Sequence, residues 1–115
     1  MEAGTYNFTI QQGSSWSRLM VLKISAVVVD LSTYLARMTI RRTYGSAAIL
    51  SLTSGAGGGI VLAATSPNIT VTMTPAQTAA LDFEYAIYDL EIESASGTID
   101  TLLIGRVTLR KQVAL

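Results

Sequence analysis

Through most of this chain apolar residues recur at every second position, the period required of strands that bury one face and show the other to water. Tyr6, Phe8 and Ile10 alternate with Asn7, Thr9 and Gln11, and Tyr34, Ala36, Met38 and Ile40 alternate with Leu35, Arg37, Thr39 and Arg41. The same pattern sets Ile69, Val71 and Met73 against Thr70, Thr72 and Thr74, and Ala86, Tyr88, Leu90 and Ile92 against Tyr85, Ile87, Asp89, Glu91 and Glu93. In each case the first group is read as core and the second as surface. A slip of one residue would turn Arg37 and Arg41 inward, so the faces are strongly specified.

Between these strands the chain is punctuated by turn residues. A second strand is expected from about Trp16 to Ile24; Leu19, Met20, Val21 and Leu22 are apolar on both faces, which predicts a central or doubly covered strand. Val27 to Leu31 is a short apolar segment, and Asp30 or Ser32 is placed to cap a helical turn before Tyr34. Tyr44-Gly45-Ser46 reads as a turn, Ala48 to Thr53 as a strand, and Ser54 to Gly59 as a mobile hairpin tip before Ile60-Val61-Leu62. Pro67-Asn68 makes a further turn. Thr74-Pro75-Ala76-Gln77 has the spacing of a capping box with proline in the first helical position, predicting a short helix through Ala80 that crosses from one sheet to the other. Ser94 to Gly97 turns the chain into a last strand from Ile99 to Arg110. The expected architecture is all-β: one immunoglobulin-like two-sheet β-sandwich spanning residues 1–115, with about seven to nine strands and one short helix near residues 75–80. A small closed barrel shares this strand pattern and is the main rival.

The residue inventory excludes much chemistry. Without histidine or cysteine the chain lacks Ser-His-Asp and Cys-His constellations and thiolate metal sites. Asp89, Glu91 and Glu93 share one strand face, but Arg37, Arg41, Arg106 and Arg110 face outward from the strands expected on either side, so cross-strand ion pairing is the better reading than a catalytic dyad. The glycine run Gly55 to Gly59 has no Gly-Lys-Ser/Thr ending and no following helix, so it is not read as a phosphate cradle. Asn7-Phe8-Thr9 and Asn68-Ile69-Thr70 match glycosylation acceptors and are read as chance in a threonine-rich β protein. Trp16 and the tyrosines other than Tyr85 are read as core packing, not as a sugar platform. No catalytic residue, metal ligand or cofactor is assigned.

Charged residues make up only 14% of the chain, against about 25% in an average soluble domain. Eight basic and eight acidic residues cancel, which argues against a nucleic-acid or anionic-lipid partner and in favour of association. No apolar stretch approaches the ~18 residues of a membrane helix, and Met1-Glu2-Ala3 opens without the features of a secretory signal, so synthesis in the cytoplasm is expected. The composition is that of a subunit. Its expected partner interface is Tyr85 and Ile87 on one strand, Leu102 and Ile104 on the next, with Gly57 and Gly58 of the glycine hairpin.

Tyr6-Asn7-Phe8-Thr9-Ile10, Gln12-Gly13 and Trp16, followed by Asp30-Leu31, Tyr34, Ala36-Arg37-Met38, Ile40-Arg41 and Tyr44-Gly45-Ser46, resemble a small β-sandwich module of tailed-bacteriophage tail and baseplate proteins. Gln77 to Leu81 and Tyr88-Asp89-Leu90-Glu91 are similar to its closing half, and the N-terminal domain of phage baseplate upper proteins is a relative in style. The resemblance implies an immunoglobulin-like sandwich without enzymatic activity. It also implies a virion structural protein, an adaptor in tail, neck or baseplate that binds other virion proteins and copies of itself. A capsid decoration or cement protein and a carbohydrate-binding module are the alternatives.

Overall fold

The computed structural model describes residues 3–113. Its elements in chain order are β1 (Gly4–Thr5), β2 (Phe8–Gln11), β3 (Trp16–Met20), β4 (Lys23–Ile24), β5 (Val27–Val28), β6 (Leu35–Arg41), β7 (Ala48–Thr53), β8 (Ile60–Leu62), β9 (Ile69–Met73), α1 (Pro75–Ala79), β10 (Tyr85–Glu93) and β11 (Ile99–Arg110). The larger sheet has the order β1-β11-β10-β6-β7, with β2 also paired to β11; the smaller is β3-β9-β8, and β4-β5 form a separate hairpin. Both β1 and β2 run parallel to β11, while β6, β7, β10 and β11 pair antiparallel. A first strand split along the last one, and a helix leading from the smaller sheet into β10, give an immunoglobulin-like sandwich. One isolated bridge, Thr53 to Gly59, joins the sheets at the β7–β8 edge. The structure is therefore a sandwich and not a closed barrel. Eleven strands exceed the seven to nine expected because β1, β4 and β5 are two-residue pieces that alternation cannot register.

The alternation places the faces as expected except at Tyr6, read as core but exposed between β1 and β2, and Tyr34, only half-buried. Ala36, Met38 and Ile40 of β6, Ile69, Val71 and Met73 of β9, and Ala86, Tyr88, Leu90 and Ile92 of β10 are all buried. They meet Phe8, Ile10, Trp16, Leu52, Val107 and Leu109 in a single core. Phe8 anchors its aromatic part, with ring centroids 4.6 Å from Trp16 and 4.8 Å from Tyr88. The Tyr88 hydroxyl donates to the Tyr6 carbonyl at 2.5 Å, and burial, with the Tyr6 phenol second, pushes its pKa up to about 12. This crossing requires Gly105, because a Cβ there would overlap the Tyr6 carbonyl. Tyr6, Tyr44 and Tyr85 are exposed and Tyr34 half-buried, so the tyrosines divide between core and surface.

The helix forms as its capping box dictates. The Thr74 side chain accepts from the Gln77 backbone N–H, and the Gln77 side chain accepts from the Thr74 N–H. Thr78 is fully buried; its hydroxyl donates to the Ser14 carbonyl at 2.8 Å and accepts from the Gly13 N–H at 3.0 Å. Gln12 reaches the Leu81 carbonyl. The Gln12-Gly13 turn and the helix, more than sixty residues apart in sequence, thus lock together.

Three further expectations are corrected. The segment from Trp16 to Ile24 is not a central strand: β3 ends at Met20 and forms an edge of the smaller sheet, with β9 as its partner. Leu19 and Val21 stand exposed, because apolar residues on both faces reflect here an uncovered outer side. Asp30 caps no helical turn; its carboxylate accepts from the backbone and hydroxyl of Ser32 in a tight turn. The glycine run forms the turn expected between β7 and β8, in which Thr53 N–H donates to the Gly58 carbonyl and Gly58 N–H to the Gly55 carbonyl, each at 2.9 Å. Leu102, expected at the surface, is buried. Leu90 pairs with Leu103 but Glu91 with Thr101, so Leu102 is the extra residue of a β-bulge, and the bulge turns it toward the core.

Candidate functional site

The outer face of β6, β10 and β11 collects most of the residues singled out from the sequence. In the β10–β11 register Tyr85 opposes Thr108, Ile87 opposes Arg106 and Asp89 opposes Ile104. Because period two keeps alternate side chains on one face, Tyr85, Ile87 and Ile104 stand together there. Tyr85 and Ile104 are exposed and Ile87 is half-buried. The Arg106 guanidinium lies 5.1 Å from the Tyr85 ring centroid, a cation–π contact that holds the phenol in place. Leu102 faces inward and does not join them. Gly57 and Gly58 lie in the β7–β8 connection, at the far edge of the larger sheet, and are not part of this cluster.

The acidic row on the same face is neutralised from the neighbouring strand. Glu91 lies opposite Arg37, and the Arg37 guanidinium donates to Glu91 at 3.0 Å and to Glu93 at 3.3 Å. The hydrogen bonds to Glu91 and then Glu93 raise the Arg37 pKa. Asp89 has no such pairing; it sits opposite Thr39, and desolvation followed by the charge of Glu91 raises its pKa, with Arg41 and Arg37 pulling the other way. Arg41 is engaged by the Ser46 carbonyl at 2.6 Å. A cavity of about 160 Å³ lies here between Thr39, Arg41, Tyr44, Ile87, Asp89 and Ile104. Glu91 and Glu93 are both held by Arg37, so this part of the row is an ion-paired surface. Among the described residues no group of three or more acidic, histidine or cysteine side chains is placed to hold a metal ion.

A second surface escaped the sequence reading. Where the two sheets part between β3 and β11, an open groove of about 470 Å³ is lined by Tyr6, Met20, Leu22, Ile69, Leu102 and Leu103. The β-bulge adds Leu102 to its floor beside Leu103, which the regular register already sets opposite the buried Leu90. At its mouth the Arg18 guanidinium sits 4.9 Å from the Trp16 ring centroid and donates from Nε to the Tyr6 hydroxyl at 3.1 Å. Beneath it the Trp16 indole N–H is buried without a hydrogen-bond partner. Asn68 precedes the lining residue Ile69 and bonds the lining residue Leu22. Fully buried, its amide donates to the carbonyls of Leu22 and Val29 and its oxygen accepts from the Leu22 N–H. That burial also removes Asn68 as a glycan acceptor. The signal for the groove was present in the doubly apolar run Leu19 to Leu22.

No family model matches the chain, and no curated protein matches it by sequence. Among solved structures the chain is similar to murine CRIg, with a TM-score of 0.41 and 12% identity over 92% of each chain.

Proposed function

We propose that this chain is a non-enzymatic structural protein of a tailed-phage virion, an adaptor in the tail, neck or baseplate that joins subunits through the outer face of β10 and β11. The observation that carries the reading is the array of Tyr85, Ile87 and Ile104 on two long paired strands of nine and twelve residues. Such strands present bulky apolar groups on a rigid surface, and an aromatic anchor beside an arginine is the composition favoured at interface centres. The placement of the virion rests on the resemblance carried by Tyr6 to Ile10, Gln12-Gly13 and Asp30 to Ser46. The contact between the Gln12-Gly13 turn and Thr78 supports it, since two separated parts of that signature form one unit.

Antibody labelling of purified particles of a phage carrying this gene tests the reading. Label on the tail, neck or baseplate is expected, and particles carrying Tyr85→Asp and Ile104→Asp together should lose it. Label over the capsid would favour a decoration protein. Absence of the chain from particles would overturn the virion assignment.

A further inference from the structure

Beside the groove stands an apolar ridge of matching character. Leu19 and Val21, on and just after β3, and Ile24 and Val27, on the β4–β5 hairpin, are 68%, 45%, 54% and 67% exposed. Leu19 and Val21 also form part of the groove's rim, so ridge and groove are contiguous. The hairpin holds its shape at a conformational cost: Ile24 pairs with Val27, leaving Ser25 and Ala26 as a two-residue turn, and both have positive φ, at +51° and +64°. That turn geometry ordinarily calls for Asn-Gly or Gly-Gly. A strained turn that thrusts two aliphatic side chains into water is poorly explained as a solvated loop.

We propose that a second copy of this chain covers this edge, each protomer setting its Ile24–Val27 hairpin against the groove of the other about a two-fold axis. A projection next to a hollow of the same chemistry is what a two-fold contact requires, since one patch must complement itself. The area suffices. The four side chains expose roughly 400 Å² of apolar surface per copy, on the scale of buried side-chain areas. Doubled, and taken as about 60% of the contact, this corresponds to ~1,300 Å² in total, within the range of stable interfaces. Electrostatics do not oppose it: the chain has no net charge, Arg18 is folded over Trp16, and the exposed Lys23 can extend its ammonium to the rim. This contact is separate from the outer face of β10 and β11, so either can hold while the other fails.

Analytical ultracentrifugation of the pure protein over a wide concentration series provides the test. A species of twice the 12.2 kDa chain mass is expected. Ile24→Asp and Val27→Asp, both at exposed positions, should each raise the dissociation constant at least about tenfold by placing a carboxylate in an apolar contact, whereas Tyr85→Asp should leave it unchanged. Should either aspartate variant unfold, a nitroxide on Leu19→Cys in this otherwise cysteine-free chain decides the matter: dipolar broadening between copies is expected. A monomer at every concentration, or a dimer abolished by Tyr85→Asp and indifferent to Ile24→Asp, would overturn the proposal.

Discussion

Replacing Asn68 by alanine should be among the most damaging single changes outside the aliphatic core. Its side chain is fully buried and makes three hydrogen bonds: to the Leu22 carbonyl at 3.0 Å, to the Val29 carbonyl at 2.8 Å, and from the Leu22 N–H at 2.8 Å. The Leu22 carbonyl also accepts from the Val29 N–H at 3.1 Å, so it keeps a partner after the substitution. The Leu22 N–H and the Val29 carbonyl lose theirs. Each buried group left unsatisfied costs about 1–3 kcal/mol, so the expected loss for the two is about 2–6 kcal/mol, a large share of the 5–15 kcal/mol that holds a typical domain. Urea unfolding followed by tryptophan fluorescence reads this directly through Trp16. With a slope of about 1–3 kcal/mol per molar urea, the midpoint should fall by roughly 1 M or more. Asn68→Asp should be no milder, because its carboxylate would face two carbonyls with nothing to donate. A midpoint within roughly 0.3 M of the parent protein, well under the change expected from the linear slope, would mean that water or a shifted backbone replaces the amide and that Asn68 does not hold this loop.

Ile40→Ala should cost about 2–5 kcal/mol through the cavity left in the core, whereas Arg37→Ala, removing a partly exposed ion pair, should cost under about 1 kcal/mol; equal losses in denaturant titration would refute the assigned faces of β6. Tyr88 has a folded-state pKa raised from the ordinary 10.0 to about 12. The unfolded chain therefore gives up that proton first, and stability should decline as pH rises through this window. Tyr88→Phe should lose that alkaline slope, along with about 1 kcal/mol for the bond to Tyr6, as thermal melts at a series of pH values would show. Ala26→Gly should stabilise the protein by about 0.5–1 kcal/mol by relieving a positive φ, and a lower melting temperature would show that the hairpin turn is not strained.

The faces of β2, β6, β9 and β10, the helix cap at Thr74 and the bounds of β7 and β11 are legible in the sequence because each depends on neighbours within a few positions: alternation states which side chains share a side, and Thr74 and Gln77 satisfy one another locally. Cross-strand pairing of the acidic row was legible once the fold class was read, since Arg37 and Glu91 fall on outward positions of strands that this topology makes adjacent. What alternation cannot encode is which edge remains uncovered. Leu19 to Leu22 reads as a doubly buried run, yet β3 has a sheet partner on one side only, because β1 and β2 run along β11 and leave the gap beside β3 open. Nor does it encode a bulge: one extra residue between Leu90 and Glu91 in the β10–β11 register moves Leu102 from surface to core and adds it to the groove's floor. Asn68 reads as a turn residue and Gly105 as one more position of the last strand. Their roles arise only where Leu22, Val29 and Tyr6 arrive from distant parts of the chain. The sequence by itself determines which side of each strand is apolar, since that is a property of period; the tertiary structure decides what meets that side, since covering a face depends on the order in which strands assemble.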